Sequence, residues 1–125
     1  MRAAFLGFPE DVRPHALELR GLILETAAET EGVGPLNEAL RWGQPAYLTE
    51  QTKAGTTLRI AVPKSGGIGL FVHCQSRVLP EFRAAFGEAF RFDGNRGLLL
   101  EADEDTPKDA LRPFVVGALT YHLKR

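Results

Sequence analysis

The stretch TTLRIAVPKSGGIGLFVHC, Thr56 to Cys74, decides the fold. In its first half Leu58, Ile60 and Val62 alternate with Thr57, Arg59 and Ala61; in its second Ile68, Leu70, Val72 and Cys74 alternate with Gly69, Phe71 and His73. A period of two is the mark of a strand with one buried face. The four residues KSGG between the halves fit a hairpin turn, so the stretch is expected to form two antiparallel strands. Successive strand side chains point to opposite faces. Leu58, Ile60, Ile68, Leu70 and Val72 should therefore meet the core, and Arg59, Phe71 and His73 the opposite face.

Downstream, AFRF and GLLLE flank DGNR, a second hairpin signal in which Asp93, Gly94 and Asn95 tolerate positive φ. Asn95 and Arg96 at its tip could reach an acidic partner, although turn chemistry already accounts for them. YLT, before the first hairpin, adds a fifth strand. Upstream, Val12, Ala16, Leu19, Ile23 and Ala27 recur at helical steps, with Asp11 as the expected N-cap, Pro14 in the first turn and EGVGP as the stop. A short helix is expected around SRVLPEFRAAF. Near the C-terminus Thr106 and Asp109 resemble a capping box, with Pro107 at the first helical position; Leu111, Phe114, Ala118 and Tyr121 follow helical spacing, and Pro113 should kink that helix. Helix, strands, short helix, strands, helix is the order of an α+β domain: an antiparallel sheet of about five strands with the N- and C-terminal helices packed on one face.

A chain of 125 residues is the size of one domain, and no repeat or linker divides it. Hydrophobic residues make up 44% and charged residues 25%, ordinary for a soluble globular chain. Fifteen basic residues against sixteen acidic ones give a formal net charge of −1, which offers no overall attraction to nucleic acid or an anionic membrane. Cys74 is the only cysteine, so no intrachain disulfide forms. The apolar run at the N-terminus is too short for a secretory or membrane-spanning segment, and a cytoplasmic location is expected.

Chemistry-bearing residues fall into three groups. The stretch RWGQPAYL, Arg41 to Leu48, holds the only tryptophan. Trp42 and Tyr47 could wall a ligand site beside the outward Arg59, Phe71 and His73, with Gln44 supplying an amide. The simpler account makes Trp42 a core anchor where the chain turns into the sheet. His73 and Cys74, adjacent on a strand, point apart and cannot share a metal ion, and Cys74 is expected to be buried. On the first helix Asp11, Glu18, Glu25 and Glu29 lie within roughly 40° of one another, opposite the apolar stripe. Such oxygen ligands could hold a divalent cation weakly, while a solvated helix face explains them more simply. The cluster Glu101, Asp103, Glu104 and Asp105 suits the dipole of the last helix. No nucleophile elbow, phosphate loop or base with a partner emerges, so no catalytic residue is assigned. His122 is expected on the apolar side of the last helix.

WGQPAY after a long helix, GLFVHCQ on a strand, RFDGNRGL as a hairpin and ALTYH in the last helix together resemble the YdhG-like family, a bacterial domain of unknown function, over about residues 8 to 122. The resemblance implies a frataxin-like fold. It further implies an intracellular iron chaperone that donates iron to iron–sulfur assembly, with no tightly bound cofactor. By the general frataxin analogy, Asp11, Glu18, Glu25 and Glu29 would then be labile Fe(II) ligands. The second reading from sequence is a binding module for a small ligand or a protein on the open sheet face, through Trp42, Tyr47, Arg59, Phe71 and His73.

Overall fold

The computed structural model describes residues 1–123, the Glu88 side chain apart. Two helices, α1 (Arg2–Leu6) and α2 (Arg13–Glu29), precede four strands, β1 (Asn37–Arg41), β2 (Gln44–Leu48), β3 (Leu58–Ala61) and β4 (Ile68–Phe71). Helix α3 (Val78–Phe86) and a 3₁₀ turn lead to β5 (Arg91–Asp93) and β6 (Gly97–Leu100), and α4 (Lys108–Leu119) closes the chain. The strands form one antiparallel sheet in the order β1-β2-β3-β4-β6-β5. The α+β class and the helices at both ends are as the sequence implies. The sheet has six strands where about five were expected, because β1, Asn37–Arg41, is a half-exposed edge without the apolar alternation that marks a strand.

Leu58, Ile60, Ile68, Leu70 and Val72 are all buried in one cluster with Leu19, Leu22 and Ile23 of α2 and Leu111, Phe114 and Val115 of α4. The two long helices therefore pack together over a single sheet face. Arg112 of α4 ties them further: its Nη1 donates to Thr26 Oγ1 at 3.3 Å and to Glu29 Oε1 at 3.2 Å, and its Nη2 to Glu25 Oε1 at 3.3 Å.

Local expectations fail where a tertiary contact outranks a sequence signal. Val12, not Asp11, caps α2, and Pro14 does lie in the first turn. Pro107 precedes α4 in place of the expected Thr106 cap. Thr106 instead faces α2, where its hydroxyl donates to Glu18 Oε1 at 3.1 Å and sits 2.7 Å from His15 Nδ1. His122 lies beyond the end of α4 and is exposed, its backbone N–H donating to Ala54 O at 2.7 Å. Strand β4 ends at Phe71; Val72 N–H still donates at 2.8 Å to Arg96 O, but from His73 the chain turns, with Ser76 N–H donating to His73 O at 3.0 Å. His73 and Cys74 consequently occupy a turn, and Cys74 is exposed, not buried.

Candidate functional site on the open sheet face

Strand register fixes which side chains share the face away from the helices. Ala39 pairs with Ala46, Ala46 with Arg59, Arg59 with Phe71, Phe71 with Gly97 and Gly97 with Asp93, one continuous row across all six strands. Directly opposed residues point to the same side. The row is small at β1 and β2, cationic and aromatic at β3 and β4, and ends in a carboxylate. The next row includes Ala61, Gly69 and Leu99.

Phe71 lies flat on this face because its neighbours have no side chains. A Cβ on Gly97 would come within 2.7 Å of Phe71 Cε1, and one on Gly69 within 3.0 Å of Cε2. The ring covers two glycines that would otherwise expose backbone. Arg59 stands over it, its guanidinium carbon 6.0 Å from the Phe71 centroid and 5.1 Å from that of Trp42. Stacking on aromatic faces is favourable for a guanidinium. Its Nη1 donates to Gln44 Oε1 at 2.6 Å.

No carboxylate among the described residues pairs with Arg59. Burial, and then the like charge of Arg96, holds its pKa below the usual arginine value. Arg96 makes a wider ion pair with Asp93, at 3.6 Å. A cleft of about 420 Å³ opens here, lined by Gln44, Arg59, Ala61, Lys64, Ser65, Phe71, Asp93, Arg96 and Leu99 among others. That volume falls within the range of small-molecule sites.

Trp42 corrects the expectation of a core anchor. It is 81% exposed and sits with Gly43 in the two-residue turn between β1 and β2, both at positive φ (53° and 74°). Positive φ at both central positions is what a type I′ hairpin requires, and that turn normally takes Asn or Gly. A bulky aromatic held there is strained by roughly 1–3 kcal/mol.

Tyr47 is also displaced from its expected place. Because Ala46 stands opposite Arg59, Tyr47 stands opposite Leu58 and points into the core, fully buried. Its hydroxyl donates to Glu38 Oε2 at 2.6 Å, and Arg20 reaches the same carboxylate with two donors. Burial, reinforced by the Glu38 hydrogen bond, pushes the Tyr47 pKa up. Burial alone would raise the Glu38 pKa too, but the hydrogen bonds from Arg20 and Tyr47 prevail and hold it below 4.5. Tyr47 is thus part of the core. His73 is exposed in its turn, with Nδ1 accepting from Gln75 N–H at 3.0 Å, and does not line the cleft. Of the five predicted ligand contacts, Arg59 and Phe71 line the cleft and Trp42 borders it through Arg59.

The acidic ridge does not converge. Glu25 and Glu29 bind Arg112, Glu18 lies 3.7 Å from Lys108 Nζ, and Asp11 is exposed in the turn before α2. Among the described residues no group of three or more His, Cys, Asp or Glu is placed to hold a metal ion, and no helix is long and apolar enough to cross a membrane.

Sequence reading passed over Lys64, Ser65, Asp93 and Leu99. Asp93 and Leu99 approach Arg59 only through the pairing of β4 with β6 and of β6 with β5, which leaves no local signal, whereas Lys64 and Ser65 lie in the turn that follows β3. Compared with protein-family models, with curated proteins and with solved structures, the chain matches none.

Proposed function

We propose that the protein is a binding module whose open sheet face takes a small organic anion. One observation carries this reading: Arg59 is a half-buried guanidinium with no carboxylate partner among the described residues, held between aromatic rings in a cleft that a second arginine also lines. Desolvating a charge without pairing it is unfavourable. A ligand carboxylate or phosphate would supply the missing counter-charge and use the guanidinium's remaining donors. The strained, exposed Trp42 supports the same reading, because strain of this kind concentrates at ligand clamps.

The YdhG-like and frataxin-like resemblance raises the other reading, an iron donor. Three of its four proposed ligands, Glu18, Glu25 and Glu29, are engaged by cations of α4, so the open face is the better-supported site. Saturable Fe(II) binding lost on changing Glu18, Glu25 and Glu29 to Gln would restore the iron reading.

Calorimetric titration of benzoate into wild type and Arg59→Met tests the proposal. Saturable binding at least tenfold weaker in the variant is expected. Equal binding by the two proteins, or none by either, contradicts it.

A further inference from the structure

Resting on that reading of the open face, we infer that the cleft is built for a phosphate monoester carried on an apolar body. The charges facing it set the valence. Arg59, Lys64 and Arg96 oppose the single carboxylate of Asp93, and Arg96 is the cation that Asp93 engages. Arg59 and Lys64 are left without a counter-charge among the described residues. Two uncompensated cations are balanced by a dianion, whereas a monoanion leaves one of them exposed to its like neighbour.

Placement then separates the charged end from the apolar floor. Arg59 leans toward Gln44, two residues along β2 from its paired neighbour Ala46. Because β2 and β3 are antiparallel, that is the direction in which β3 runs to its turn, Pro63–Gly67, where Lys64 and Ser65 line the cleft. Arg59, Lys64 and the Ser65 hydroxyl thus share one end. Phe71, Ala61 and Leu99 form the floor, and the Asp93–Arg96 pair closes the far rim. A phosphate monoester carries a charge of about −1.5 to −2 at pH 7 and three strong acceptor oxygens. Those oxygens match the guanidinium fork, the ammonium and the hydroxyl. A dicarboxylate would set its second charge over the apolar floor or against Asp93.

The test compares four probes by calorimetry at pH 7.5: phenyl phosphate, the diester methyl phenyl phosphate, benzoate and inorganic phosphate. Phenyl phosphate should bind at least tenfold more tightly than the singly charged diester or benzoate, and more tightly than inorganic phosphate, which lacks the apolar body. Lys64→Gln, an exposed turn substitution that leaves the core intact, should weaken phenyl phosphate severalfold more than it weakens benzoate, and so shrink the preference for the dianion. Affinities for phenyl phosphate, diester and benzoate within twofold of one another, all lost in Arg59→Met, would overturn the monoester inference and leave the anion site standing. Affinities unchanged in Arg59→Met would overturn both.

Discussion

The two faces of the sheet are built from the same strands by opposite rules. On the helix side, the cross-strand row Ile60, Leu70 and Leu98 is wholly apolar and closed over by α2 and α4. Its polar edge, Tyr47 with Glu38 and Arg20, pairs a buried hydroxyl, a carboxylate and a cation. On the open side, the row one residue away contains Arg59 and Phe71, and its cation has an amide but, among the described residues, no carboxylate partner. Where charge serves stability in this protein it is neutralised. Where it is left unneutralised, in a cleft and beside a strained tryptophan, binding is the better explanation.

Substitutions that break this contrast differ in size. The largest effect is expected from Leu70→Ala on the helix side, where deleting a fully buried side chain should destabilise by about 2–5 kcal/mol in chemical denaturation. On the open side Gly97→Ala should cost about 1–3 kcal/mol, since the new Cβ meets both the Phe71 ring and Asp93. It should also lift Phe71 from the sheet and weaken anion binding, which Leu70→Ala need not do specifically. A smaller effect sharpens the comparison through pH. Because the folded Glu38 pKa lies below its ordinary 4.5, its cluster contributes stability that is present above that value and is lost as pH falls through the folded pKa. Denaturation midpoints of wild type should therefore fall more steeply than those of Glu38→Gln as the solution is acidified below about pH 4.5.

The helix side was legible in the sequence because each strand or helix buries residues at its own period, and Leu58 to Val72 needed no knowledge of their partners. Arg59 and Phe71 were legible as their alternates. Tyr47 was not, because its face depends on the register between β2 and β3, and a shift of one residue reverses every side chain. Trp42 misled for a different reason: a lone tryptophan is ordinarily worth most in a core, and no local signal announces a type I′ turn at Trp42-Gly43. The cleft itself depends on the β6–β4 pairing, which brings residues 93 to 99 beside residues 59 to 71. The acidic ridge was legible as a pattern on α2, but Arg112 and Lys108 reach it from a helix some eighty residues away.

The most direct measurement is thermal unfolding of wild type and Arg59→Met, each with and without phenyl phosphate. A desolvated cation kept for binding predicts a variant at least as stable as wild type without ligand, and a ligand-induced rise in Tm for wild type alone. A variant clearly less stable without ligand, with equal rises or none in the two proteins, would show that Arg59 is a structural residue and contradict the account.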